Sequence, residues 1–492
     1  MFNFIKADRE QPYLLPPSLQ EWLPADHLSW FVLDAVDQMD LGGFYRRYRS
    51  DGHGGAAFEP SMMVSLLLYA YCVGERSSRR IERLCETDIA FRVIVANRKP
   101  DHATVARFRR TNWKELKNLF VQILRLCREA GLASLGTVGL DGTKLRANAS
   151  LNANRTHDGL DAEVERLLNE AEAKDGEEDA VHGKRRGDEL PEALRGKESR
   201  LARLKECRER LEREAKEKAD ERKRKIQERE AKEKASGLKK RGKKPALPNS
   251  NPSPEAKANV TDPESRVMKT KSGYVQAYNA QAAINEKQIV LSAEVTQEAN
   301  DRQQLKPIMK SVRENAAAAG IKCAIDKALA DSGYWSDENA KPDGRVKTEY
   351  FIATTKAWKL QQAQEKMPLP RGRIPSAATL REKMERKLRT KRGREIYRMR
   401  SVITEPVFGQ IKDARGIDRF LLRGRMGADL EWKLICGTSN LLKLWRAWRI
   451  KIQLSSLQTA LRRLQEAVSS IFDFCESRGH LPPSATEPIF AF

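Results

Sequence analysis

From Asp158 to about Lys244 the chain is built almost entirely from Glu, Lys, Arg and Ala. So long a stretch with so few large apolar side chains marks an abrupt shift in composition and reads as an arm inserted into a unit built elsewhere. The strand-like and helical patterns that stop before it and resume after it then belong to one interrupted unit. Within the excursion Leu160, Val164, Leu167, Leu168 and Ala171 form one apolar stripe, and Leu201, Leu204 and Leu211 form a second. Two antiparallel helices fit this pattern, a charged arm occupying 151–261 with its basic, Pro-rich linker (Gly237 to Lys244, then Pro245, Pro248, Pro252 and Pro254); partial disorder is the alternative.

Ahead of the excursion, residues 1–132 read as all-helical. Trp22, Trp30, Phe31, Phe44, Tyr45 and Tyr48 are core aromatics, and a helix is expected from His27 to Met39. Glu59 to Glu75 is a strongly apolar helix started by Pro60 and Ser61. After Pro100-Asp101, the residues Arg107, Arg109 and Arg110 lie on a short helix, which suits either a helix-turn-helix reader of DNA or the exposed basic face of an ordinary bundle. A longer helix, Asn112 to Gly131, repeats apolar residues at three-four spacing and ends on its glycine.

The interrupted unit, 133–150 and 262–450, reads as α/β. A short strand from Thr137 carries Asp141 near its end, followed by Lys144 and Arg146. Beyond the excursion, Tyr274 to Ile284 and Gln288 to Val295 form a hairpin, Arg302 to Ala319 a helix, Cys323 to Ala330 a strand delivering Asp331, and Tyr350 to Thr354 a further strand. Strand, hairpin, helix, strand, helix, strand predicts a mixed sheet flanked by helices, an order that suits the RNase H-like fold. An apolar helix after Glu431, with Trp432, Leu434, Leu441 and Trp445, closes this core, and 451–492 form a C-terminal helix and loose tail.

The net charge of +23 points to a polyanionic partner, and nucleic acid fits better than a membrane because no basic amphipathic helix with a clear aromatic face stands out. Seven cysteines without a C-x-x-C pair argue against a disulfide framework or a zinc knuckle. The first ten residues lack the apolar segment of a signal peptide, and the longest apolar run, Met62 to Val73, is too short to span a bilayer, so a cytoplasmic location is expected.

On such a basic scaffold, three acids in compatible settings suggest phosphodiester chemistry: Asp141, Asp331 and Glu405. Two divalent ions about 3.5–4 Å apart activate and steady the attacking and departing oxygens in such reactions. Carboxylates without a His/Cys cluster suit Mg²⁺ or Mn²⁺, two ions, over zinc. Tyr397, Arg400 and Lys412 accompany Glu405 at helical intervals and would hold phosphate. Pro406 disfavours helical geometry at Glu405, which predicts a helix start or kink there. Trp335 either packs under the sheet or stacks on a displaced base. Arg415, Arg419, Arg423 and Arg425, with the basic run Arg381 to Arg394, extend a DNA-tracking surface.

This set resembles the DDE transposases of bacterial insertion sequences. The matching pieces are Asp141-Gly142-Thr143, Ala330-Asp331-Ser332-Gly333-Tyr334, and Tyr397…Arg400…Glu405…Lys412 with Glu405-Pro406-Val407-Phe408-Gly409-Gln410-Ile411-Lys412. Thr261 to Arg266 leading into Gly273 to Asn279, and Pro100 to Thr104 with Arg107-Phe108-Arg109, are similar too. The resemblance covers most of residues 1–445. It implies that Asp141, Asp331 and Glu405 bind metal, that element ends are nicked to expose 3′-hydroxyls, and that these attack target DNA. It further implies terminal inverted repeats and target duplex as partners, and a homodimer or higher multimer when two ends are paired. The Arg400-to-Glu405 interval is one residue longer than the commonest form of that block. Asp331 and Glu405 are 74 apart (405 − 331), too close for the large β-rich insertion of some relatives, whereas Asp141 and Asp331 are 190 apart (331 − 141) because the arm intervenes. A DNA nuclease without strand transfer, and a DNA-binding regulator that has lost catalysis, are the alternatives.

Overall fold

The computed structural model describes residues 18–49, 56–167, 169, 192–236, 249–270, 273–341, 348–356, 359, 362, 369–370, 372, 374–375 and 377–477. Leu168, Ala171, the basic linker 237–244, Pro245, Pro248, Pro368, Arg371, Arg373 and the tail 479–492 lie outside the described residues.

Among the described residues, seven α-helices come first: α1 (Leu28–Asp37), α2 (Gly42–Tyr45), α3 (Pro60–Cys72), α4 (Ser78–Thr87), α5 (Ile89–Ile94), α6 (His102–Thr111) and α7 (Trp113–Glu129). His27 caps α1, its Nδ1 accepting from the Ser29 amide, so the helix starts one residue later than its sequence suggests. Buried along nearly its whole length, α3 is the spine of this region. It packs against α1, and the same hydrophobic core continues through α7 into the sheet without a break. Gly131, at φ 71°, ends α7, and the Leu132 amide reaches back to the Cys127 carbonyl.

Eight strands follow: β1 (Gly136–Arg146), β2 (Asn154–Thr156), β3 (Lys257–Asn259), β4 (Arg266–Thr270), β5 (Gly273–Asn285), β6 (Val290–Thr296), β7 (Ile325–Ala330) and β8 (Glu349–Ile352). The main sheet runs β4-β5-β1-β7-β8, and β6 shares with β4 the outer edge of the long β5. β1 is antiparallel to β5 and parallel to β7, which is parallel to β8. This is a mixed sheet with helices on it, as the order of elements predicts. Covered on both faces, β5 is buried from Gln276 to Asn285, polar positions included.

The chain leaves and re-enters this core through the β2–β3 pair. A helix over 157–167 lies antiparallel to the Glu192–Ser236 helix, with Arg200 on Glu163 and Arg208 on Asp161. Leu160, Val164 and Leu167 meet Leu204, Cys207 and Leu211 in a second, separate cluster. Beyond it the long helix carries exposed i,i+4 pairs such as Lys225–Glu221.

Helices packed on the sheet complete the core, among them Leu305–Ala318 against β5 and β6. The Lys391–Gly409 helix packs on β1, β5 and β7. The Gly424–Ser477 helix lays the fully buried Trp432 over the sheet, its Nε1 donating to the Gln281 carbonyl at 2.8 Å.

Candidate active site

Register puts two acids side by side. Gly139 of β1 lies opposite Leu329 of parallel β7, so Asp141 and Asp331, each two residues further on, stand at the same height; Asp331 follows the end of β7, whereas Asp141 lies mid-strand and not near a strand end as expected, because β5 goes on pairing with β1 to Arg146. Neighbouring strands are about 4.8 Å apart, so residues separated in the chain by the whole arm become neighbours. Open parallel strands present their ligand sites at this carboxyl end.

Each carboxylate is fixed by its own backbone. Asp141 Oδ1 accepts from the Gly142 amide at 2.9 Å, and Asp331 Oδ1 from the Gly333 amide at 2.9 Å. Asp141 Oδ2 faces the Thr404 hydroxyl at 3.3 Å and Arg400 Nη1 at 3.4 Å. Burial raises both carboxyls above the usual range. For each, the Arg400 guanidinium works against that rise, and Asp331 adds repulsion at Asp141.

The Lys391–Gly409 helix closes on β1 because Gly139 has no side chain: a Cβ there would lie 2.9 Å from Thr404 Cγ2. Pro406 does not start this helix but lies inside it, near its C-terminal end. Its ring cannot donate to the Val402 carbonyl one turn back, and Gln288 Nε2 fills that vacancy at 3.0 Å. Glu405 therefore sits near the helix's C-terminal end rather than in a first turn. A π-helical turn, Gln410–Ala414, follows and turns Lys412 toward β1, where its Nζ donates to Thr143 Oγ1. Glu405, Lys412, Asp141, Gly142, Thr143, Phe408 and Asp413 line one open cleft of about 310 Å³.

Arg400 is the hub. Burial opposes its charge, yet Tyr397, Asp141, Asp331 and Glu405 together hold its pKa above the ordinary arginine value. Burial pushes the Tyr397 hydroxyl up to about 12. Three acids thus act on one guanidinium, with Asp141 in contact with it. Among the described residues no three His, Cys, Asp or Glu side chains form a ready-made metal cage. The Asp141–Asp331 pair nonetheless fits a hard divalent ion, which takes one or two carboxylates and leaves positions for water and phosphate.

Other expected site residues fall elsewhere. Lys144 projects from the face of β1 opposite Asp141 and donates to the Lys269 carbonyl at 2.8 Å. Arg107 and Arg110 are exposed on α6, but Arg109 is buried, bonded to the Arg76 carbonyl at 2.7 Å and to Ser78 Oγ. It faces inward because it occupies the same side of the helix as Val105 and Phe108. Arg415 likewise turns inward, to Thr438 Oγ1 at 2.9 Å and the Ile435 carbonyl at 3.0 Å, so it leaves the expected DNA-tracking surface. Arg419 and Arg423 stay on that surface, lining a separate cleft with Arg146. Trp335 packs half-buried against the core. Sequence reasoning missed Thr404, and also Asn279, Gln281 and Asp301 behind the acid loops. The only clue was polar residues at alternate positions of a strand too buried to expose them.

A mixed sheet offering paired acids beside an arginine, in a strongly basic chain, suits an enzyme acting on DNA. Residues 17–111 match the family model of the transposase domain DUF772, and residues 248–441 match the transposase DDE domain. The two segments together span more than half of the chain, which belongs to the DDE transposases of insertion-sequence type. The second segment includes Asp331 and Glu405 but not Asp141, which joins them through strand pairing. No match was found among curated proteins or solved structures. Among the described residues, no helix is long and apolar enough to cross a membrane.

Proposed function

We propose that this transposase cuts DNA at the ends of its insertion sequence and transfers the freed 3′-hydroxyl into target DNA, with Asp141, Asp331 and Glu405 as the catalytic and metal-holding acids of an RNase H-like core. The matched height of Asp141 and Asp331 on adjacent parallel strands, beneath the helix bearing Glu405, carries this reading. The β6-β5-β1-β7-β8 order, three antiparallel strands followed by two parallel ones, supports that fold. In this reading 1–132 is the helical DNA-binding domain, 133–150 with 262–450 the catalytic core, 151–261 an arm, and 451–492 a C-terminal helix and tail.

Asp141, Asp331 and Glu405 would hold the divalent ions, Mg²⁺ or Mn²⁺ and two in number, which when bound supply an activated oxygen and steady the departing one. The chain's own groups do the rest. Thr404 and the Gly142 and Gly333 amides orient the two aspartates. Arg400 lowers the repulsion between acids and stands ready to pair with a phosphate entering the cleft. Lys412, on the cleft wall, holds a phosphate oxygen, and Tyr397 positions Arg400. Arg107, Arg110 and Lys144 contact the duplex backbone outside the cleft, and Trp335 supports the Asp331 loop. Two copies or more pair the two ends, in a nucleoid-associated, cytoplasmic setting.

Labelled terminal-repeat DNA incubated with Mg²⁺ tests the reading. The wild-type protein should nick and join it; Asp141→Asn and Glu405→Gln should each lose at least about a thousandfold in rate while retaining binding. Full joining by Glu405→Gln would overturn the site, and nicking without joining would make the chain a nuclease.

A further inference from the structure

Behind the two acid loops lies a carboxylate that the proposed mechanism does not use. Asp301 opens the short turn Asp301–Gln303 after β6. Its Oδ1 accepts from Asn279 Nδ2 at 2.7 Å and from Gln281 Nε2 at 2.6 Å. Both amides are buried on β5, and the strand register sets them opposite Lys144 and Gly142, on the face of β1 away from Asp141. Gln281 Nε2 also donates to Asn279 Oδ1 at 2.9 Å, and Gln281 Oε1 accepts the hydroxyl of the buried Tyr334, three residues past Asp331. Asn279 Nδ2 further donates to the Glu298 carbonyl at 3.0 Å.

Two glycines bring this network against both acid loops. A Cβ at Gly142 would lie 2.2 Å from Gln281 Nε2 and 3.0 Å from Asp301 Oδ1. At Gly333 it would lie 2.9 Å from Asp301 Oδ2 and 3.1 Å from Asp331 Oδ1. Neither glycine is among those with positive φ, so the missing side chain serves the close approach and not the turn. One carboxylate therefore touches the residue after Asp141 and the loop that follows Asp331. Hydrogen bonds from buried amides to an acid are charge-assisted and hold it to one rotamer.

We propose that Asp301 is a positioning residue of the acid centre, fixing from behind the separation at which Asp141 and Asp331 share a divalent ion. The proposal rests on the assignment of those two aspartates as the ion-holding pair. Supporting groups of this kind typically contribute about 10- to 100-fold to metal affinity or activity.

Mn²⁺ titration of the full chain, with free ion read by electron paramagnetic resonance, tests it on Asp301→Ala, Asp301→Asn, Gly333→Ala and Asp141→Asn. Melting and DNA affinity are measured in parallel. Asp301→Ala should weaken Mn²⁺ binding about tenfold or more and lower the nicking kcat with KM for DNA unchanged. Asp301→Asn, which keeps an oxygen to accept both amides, should recover most of the loss. Gly333→Ala, which pushes the carboxylate away, should resemble Asp301→Ala and covers the case in which that variant does not fold. Wild-type Mn²⁺ affinity in Asp301→Ala and Gly333→Ala, with Asp141→Asn defective, would overturn this inference alone. So would equal losses in the Asp301→Ala and Asp301→Asn proteins that follow their folded fractions. Undiminished binding in Asp141→Asn would instead remove the acid pair, and this proposal with it.

Discussion

The acid cleft and the long Glu192–Ser236 helix are made from the same charged residue types and put them to opposite use. On the helix, Glu221 and Lys225 or Arg224 and Glu228 pair at i,i+4 in full contact with water, where each pair is screened and weak. At the acid centre, Asp141, Asp331 and Arg400 are largely withdrawn from water, so each charge is felt by the others and by whatever enters. The arm shows that charge count alone carries no chemistry. Chemistry begins where folding removes the solvent that would otherwise screen it.

Changes on the two sides of this comparison should differ steeply. The largest effect belongs to Arg400→Ala, which leaves the acids without their counter-charge; nicking should fall about a hundredfold or more in a single-turnover assay. Next comes a buried pair away from the cleft. Arg76 Nη1 bonds Glu431 Oε1 at 2.5 Å, tying the α3–α4 loop to the C-terminal helix, and Glu431 also accepts the Leu421 and Leu422 amides at 2.8 and 2.9 Å. Glu431→Ala should cost about 3–5 kcal/mol in denaturant melts, since it strands a buried guanidinium.

A smaller effect has the opposite sign. Because burial raises Asp141 and Asp331, the folded chain retains protons that the unfolded chain gives up. In chelator, the contribution of these two groups to stability is therefore fullest below the ordinary aspartate value of about 3.9 and declines as pH rises through the raised values. Asp141→Asn should stabilise the ion-free protein by about 1 kcal/mol at neutral pH and flatten that decline. A melt showing destabilisation would mean that the contact with Arg400 outweighs burial. Least of all, Lys225→Ala on the long helix should move the melting temperature by less than about 1 °C.

How much was legible in advance follows the same division. The interrupted core, the helix ended by Gly131, the hairpin of β5 and β6 and the position of Asp331 just past its strand could be read off because each depends on local periodicity or turn chemistry; Asp141, expected near a strand end, lies mid-strand because β1 goes on pairing with distant β5 to Arg146. Arg109 and Arg415 misled because a guanidinium on a short helix or loop has the same sequence signature whether it points to solvent or to a carbonyl. Pro406 misled for a related reason: its effect depends on who satisfies the Val402 carbonyl, and that partner, Gln288, is 114 residues away.

The sequence by itself determined the mixed-sheet class, the charged excursion and which carboxylates were available, because hydrophobic spacing and composition act over a few turns of chain. Only the tertiary structure decided that Arg400 stands amid the acids, that Glu405 reaches the cleft from the far end of its helix, and that Asp301 backs both loops. Those outcomes depend on strand register and on burial, and both arise only when distant segments meet and exclude water between them.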